Sequence, residues 1–256
     1  MSRFASLEFD HDSNDESREG VVKDENFYSA EARAAFEAAD FEQALRRYSK
    51  VLEFNSQMAS AWTGQVRALI ELGEYREAKM WADKALEHFP QEPELLAAKA
   101  VALGRCGDLD GALAFSDASI EERGDTPYIW IARGDVLLAR EERRADYCFE
   151  KALLLAPRDW FTAWLAARVR FFYKQFALAL KLLQSALEWD PCQGVVWLQL
   201  GLCQQQIGLV AAARTSLNRA LEIRPHWPAA RNALTELGQA SALTRLAGGL
   251  RNLFRK

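Results

Sequence analysis

Ala220-Leu221-Glu222-Ile223-Arg224-Pro225 has three near copies upstream: Ala186-Leu187-Glu188-Trp189-Asp190-Pro191, Ala152-Leu153-Leu154-Leu155-Ala156-Pro157 and Ala85-Leu86-Glu87-His88-Phe89-Pro90. The closing prolines set the spacing. Pro157 to Pro191 is 34 residues, and Pro191 to Pro225 is 34 again. Pro90 to Pro157 is 67, room for one unit of 34 and one of 33, with Gly124 where the missing proline would fall. A fixed period near 34 is the signature of a helix-turn-helix solenoid. Each unit buries its apolar stripe only by stacking on the next. Each echo then marks the end of a second helix, because proline cannot continue a helix and restricts the residue before it.

Residues 194–227 show the interior of one unit. Trp197, Leu200, Gly201 and Gln204 share one helical face. Gly208 breaks that helix. Ala213, Leu217, Ala220 and Leu221 mark the face of a second helix, which Pro225 ends. Small residues at 201, 213 and 220 let two backbones approach, and a bulky one would overpack the contact by roughly 1–3 kcal/mol.

These residues resemble the tetratricopeptide repeat family, whose pattern runs Trp-x2-Leu-Gly-x2-Tyr, Ala-x3-Phe, then Ala and Pro. Residues 59–92 supply Trp62, Leu69, Gly73, Tyr75, Ala78, Ala82, Ala85 and Pro90. Residues 93–126 supply Ala100, Leu103, Gly107, Ala112 and Ile120. Residues 127–159, with a turn one residue short, supply Trp130, Gly134, Leu137, Ala145, Phe149, Ala152 and Pro157. Residues 160–193 supply Ala166, Ala167, Phe176, Ala179, Leu183, Ala186 and Pro191, and a divergent unit at 25–58 supplies Tyr28, Ala32, Phe41, Ala44, Tyr48 and Leu52. Gln204, Val66 and Ser119 depart from the usual Tyr, Gly and Ala, but none breaks a helix. The resemblance implies an all-α fold: a right-handed superhelical solenoid of about six units (25–58, 59–92, 93–126, 127–159, 160–193, 194–227). Residues 228–238 read as a capping helix with a polar outer face. Residues 1–24 read as an acidic, disordered tail and 239–256 as a basic amphipathic segment.

Half of the 256 residues are hydrophobic, and 32 basic side chains face 36 acidic ones, a net charge of -4. Mild acidity argues against a general nucleic-acid binder, so none is expected as a partner. Residues 1–25 carry a net of -5 and residues 239–256 a net of +4. The N-terminus lacks the apolar run of a signal peptide, and no uncharged stretch is long enough to cross a bilayer as a helix. Cys106, Cys148, Cys192 and Cys203 form no Cys-x-x-Cys pair. They read as reduced thiols in a cytoplasmic protein.

Catalytic chemistry is not legible. His11, His88 and His226 are scattered, and no phosphate-binding glycine loop or nucleophile elbow occurs. Asp10 to Glu16 alternates oxygen donors, but Asp15 stands where a calcium loop needs glycine. The reading is a non-enzyme with no cofactor and no metal.

The resemblance implies that the first helices line a concave groove for a peptide or partner helix. The inward positions are polar or small in the N-terminal half, where Arg33 and Arg67 stand out. They are apolar and aromatic in the C-terminal half: Tyr128, Ile131, Phe161, Trp164, Phe171, Phe172, Leu198 and Leu202, interrupted by Asp135 and Arg168. Such a groove suits a segment with apolar anchors and some acidic residues. The family's chaperone-binding clamp for a terminal carboxylate is not reproduced, since Ser29 and Arg33, Thr63 and Arg67, or Ala97 and Val101 fill its Lys and Asn positions. At the C-terminus Leu243, Leu246, Ala247, Leu250, Leu253 and Phe254 form one helical stripe, with Arg245, Arg251, Arg255 and Lys256 off it. Leu246, Leu250, Arg251, Phe254 and Arg255 are therefore candidate contacts for a membrane surface or a partner. The expected function is an interaction scaffold or adaptor, with a peripheral membrane adaptor as the alternative.

Overall fold

The structure, a computed structural model, describes residues 24–122 and 125–239. All regular structure among the described residues is helical. Twelve helices pair into six hairpins: α1 (Glu25–Glu37) with α2 (Phe41–Phe54), α3 (Ala59–Glu71) with α4 (Tyr75–His88), α5 (Pro93–Cys106) with α6 (Leu109–Glu121), α7 (Pro127–Ala139) with α8 (Ala145–Leu155), α9 (Trp160–Phe172) with α10 (Phe176–Trp189), and α11 (Gly194–Gln206) with α12 (Val210–Ile223). Residues 228–239 form a further helix, α13. The chain divides into two compact units, Met1–Leu155 with α1–α8 and Ala156–Lys256 with α9–α13.

Helix starts and stops follow local chemistry. Asp24, Asp40, Asp108 and Asp159 each accept a hydrogen bond from a backbone N–H of the first turn they precede. Pro93 and Pro127 open α5 and α7, where the missing N–H is not needed. Phe89, Asp190 and Arg224 end α4, α10 and α12 outside the helical region, with ψ of 64°, 98° and 87°, consistent with the proline that follows each.

The turn inside every hairpin is one motif. Ala39, Gly73, Gly107, Glu141, Lys174 and Gly208 all have positive φ, between 56° and 92°. The next N–H then reaches back five residues, as from Asp40 to the Ala35 carbonyl and from Leu209 to that of Gln204. Three of the six are glycines, for which this conformation is free of strain.

Packing inside the hairpins depends on small residues. A Cβ at Gly201 would lie 2.7 Å from Leu217 Cγ, and one at Gly134 2.7 Å from the Phe149 ring. In the first hairpin the equivalent position is Ala32, and the ring of Tyr48 instead leans on Gly64 of the next hairpin. A second device ties three of the hairpins, and α13, to the loop before them. Trp62 and Trp197 donate their indole N–H to the carbonyls of Ser56 and Pro191, six residues back, at 2.9 and 2.8 Å. Arg231, at the same place in α13, donates to the Pro225 carbonyl at 3.0 Å. Trp130 uses the Asp125 carboxylate instead.

α13 buries Ala233 and Leu237 against Ala213 and Leu217, while Arg231, Asn232, Thr235 and Glu236 are exposed.

Candidate functional site

In the first unit the first helices α1, α3, α5 and α7 pack side by side. Arg67 of α3 is the centre of their common face. Its guanidinium lies 3.8 Å from the ring centroid of Tyr128 on α7 and 5.2 Å from that of Phe36 on α1. Tyr128 reaches over α5 because Ala97 and Val101 there are small, and it packs on the cluster they form with Ile129 and Ala132. Two aromatic faces thus hold one cation across four helices. Among the described residues no acceptor takes a hydrogen bond from Arg67. Arg33, one repeat earlier, is the outlying charge: its side chain is 80% exposed, with Nε 2.9 Å from Glu37. Burial raises the pKa of the Tyr128 phenol far above the ordinary value, and burial also raises that of Tyr48, both against the pull of Arg67.

Ile131 and Asp135 do not line this face. Ile131 is buried, and Asp135 makes a buried two-point ion pair with Arg105 of α5, at 3.0 and 2.5 Å. Each first helix packs on its own second helix and also on the first helix beside it. The position that a helical wheel assigns to the face is, for Asp135, a helix–helix contact.

In the second unit α9 presents a column. Phe161 and Trp164 have ring centroids 5.6 Å apart, and the Arg168 guanidinium lies 5.1 Å from the Trp164 ring. Arg168 also donates to Gln199 of α11 at 3.5 Å. Trp164 is only 1% exposed, so it is the floor of the column and not a contact. Phe171 turns against Phe176, whereas Phe172 is 46% exposed. Leu198 and Leu202 are partly covered where α13 packs on α12. The presented side chains are therefore Phe161, Arg168 and Phe172. The C-terminal candidates Leu246, Leu250, Arg251, Phe254 and Arg255, and the acidic stretch at 10–16, lie outside the described residues.

Among the described residues no group of His, Cys, Asp and Glu is arranged to hold a metal ion, and no helix is long and apolar enough to cross a membrane. All four cysteines are free. Burial pushes the Cys148 thiol up to about 11 and that of Cys203 up to about 12, which keeps both protonated and inert.

Charge separates the two units. Residues 1–155 hold 31 acidic and 19 basic side chains, a net of -12, while residues 156–256 hold 5 and 13, a net of +8. The overall value of -4 conceals this partition.

Hairpins of about 34 residues with small residues at the crossing and a left-handed turn define a helical-repeat protein. A family model described as tetratricopeptide repeat matches residues 35–101 and 173–237, just over half of the chain, which therefore belongs to that family. The chain is 33% identical over 101 residues to Protein CTR9 homolog of Arabidopsis thaliana, which covers 39% of this chain and 9% of that protein. Its fold is similar to that of the human IFIT1 dimer with m7Gppp-AAAA (TM-score 0.53, 19% identity, 87% of this chain and 57% of that one). It is also similar to the APC/C hetero-tetramer Cut9-Hcn1 (TM-score 0.51, 18% identity, 84% of this chain and 43% of that one). The chain thus spans less than a tenth of the curated relative and about half of each structural neighbour.

Proposed function

We propose that this protein is a non-enzymatic interaction scaffold that holds a peptide or partner segment against the first-helix faces of its hairpins. The observation that carries the reading is Arg67. An arginine stacked between two rings has lost much of its rotamer freedom before any ligand arrives, and its in-plane donors remain available. Such a group suits a carboxylate set between apolar residues. In the second unit Phe161, Arg168 and Phe172 offer the same combination of apolar surface and positive charge. Family membership supports a binding role, and among the fold neighbours Cut9 is assembled with Hcn1.

The test is affinity capture on the full chain and on two variants, Arg67→Ala and Phe161→Ala/Phe172→Ala, each shown to melt as a folded protein. Loss of the same captured protein in at least one variant is expected. An identical set of captured proteins for all three chains refutes the faces as binding sites.

A further inference from the structure

All second helices but α8 begin two residues after the positive-φ turn residue, and the residue that precedes these five differs between the units. In the first unit Asp40, Glu74 and Asp108 precede α2, α4 and α6. An acid there suits the exposed N–H groups and positive end of a helix. In the second unit the same position is Gln175 before α10 and Leu209 before α12, and neither side chain makes a capping bond. Leu209 is 49% exposed. Leucine is among the poorest residues at this position. Burial does not explain it either.

Leu209 has company. Ile207 and Val210, beside it in the turn, are 41% and 38% exposed, and Phe172 stands at the corresponding turn of the neighbouring hairpin. α9 and α11 pack as successive first helices, separated by two chain reversals, so both turns fall on one edge of the unit. Lys174 and Arg214 are exposed next to these residues. The chain has no acid from 160 to 187 and none from 191 to 221. The C-terminal end of α13 points to the same edge, where Glu236 is the nearby acid, and residues 240–256 leave from there with four more basic side chains and none acidic.

We propose that this edge of the second unit docks on an anionic lipid surface, with Phe172, Ile207, Leu209 and Val210 entering the headgroup region and Lys174 and Arg214 meeting lipid charge. Apolar side chains at projecting turns, ringed by bases, suit an interface that yields to them. A peptide would need a groove, and these are corners. The edge and the C-terminal stretch share one sign of charge, which disfavours one covering the other and favours a third, anionic party. This inference does not rest on the peptide reading above.

The experiment is flotation of the full chain with phosphatidylserine–phosphatidylcholine vesicles and with pure phosphatidylcholine. The chain floats with the mixed vesicles alone. Leu209→Asp installs the cap that Asp40 and Asp108 provide to α2 and α6, so it raises the melting midpoint by about 2 °C. The same change weakens vesicle binding by at least about tenfold. Ile207→Glu, in the exposed turn, repeats the loss of binding. Ile223→Glu, at the opposite end of α12, floats like the unaltered chain. A chain ending at Gln239 binds less tightly and still responds to Leu209→Asp. The proposal is overturned by absence of flotation, including the case in which the chain shifts an RNA homopolymer in a gel instead. It is also overturned if Leu209→Asp and Ile207→Glu float normally, or if truncation alone abolishes binding.

Discussion

A methyl group at Gly201 would meet Leu217 Cγ at 2.7 Å and the Ala213 carbonyl oxygen at 3.3 Å. Leu217 is fully buried and the carbonyl belongs to the backbone, so neither can yield cheaply. Alanine gains about 1 kcal/mol of helix propensity over glycine, but overpacking costs about 1–3 kcal/mol. Gly201→Ala should therefore lower the urea midpoint, and an unchanged midpoint would show that the contact relaxes. Arg105 and Asp135 set a larger effect. Removing one member of a buried ion pair strands the other, at about 3–5 kcal/mol. Asp135→Asn should approach that loss in a denaturant titration, with no change in any ligand binding measured under folding conditions. Tyr48 and Tyr128 add a pH dependence. Their folded-state pKa values are raised by burial, so above the ordinary phenol range of about 10 the unfolded chain releases protons that the folded chain keeps. Stability is intact below that pH and falls as pH rises through it. Melting curves of Tyr48→Phe/Tyr128→Phe between pH 9 and 11 should lose part of the decline (roughly the ordinary phenol range).

The helical hairpin was legible because its punctuation is chemical. Pro90, Pro157, Pro191 and Pro225 follow helix ends, and Gly73, Gly107 and Gly208 occupy left-handed turns. Ala39, Glu141 and Lys174 occupy the same turns with φ of 56–59° and leave no mark in the sequence, because the hairpin packing imposes a conformation their side chains disfavour. That strain is available to measurement. Ala39→Gly and Glu141→Gly should each stabilise the protein by up to about 1 kcal/mol, the left-handed penalty less the added freedom of the unfolded chain. A drop in the thermal midpoint for both would remove the strain. The candidate site was less legible than the fold. Helical spacing put Trp164 beside Phe161 and Arg168, yet it could not tell that Trp164 forms the floor under them. Ile131 and Asp135 failed to reach the face for a related reason: spacing defines a stripe on one helix, and the neighbouring helices decide which part of it stays open. The meeting of Arg67 with Phe36 and Tyr128 joins residues from three hairpins, and no single repeat contains it.

At the scale of the whole molecule the fold follows from repetition, and charge is divided between the two units. The first unit places acids at 40, 74 and 108 before α2, α4 and α6, with capping bonds from Asp40 and Asp108, while the second unit has Gln175 and Leu209 at the corresponding positions. Averaging over the sequence hides this, which is why a net of -4 read as mild acidity. Acidity describes residues 1–155, whereas residues 156–256 are basic, and the gel-shift arm of the vesicle experiment probes them for nucleic acid.

A net of -12 on one unit and +8 on the other also makes the chain a polyampholyte in blocks. Copies in dilute buffer attract one another through unlike blocks, and added salt screens that attraction within about 10 Å at 0.1 M. Light scattering should therefore rise when the protein is dialysed to very low ionic strength and clear when sodium chloride is restored, the reverse of ordinary salting-out.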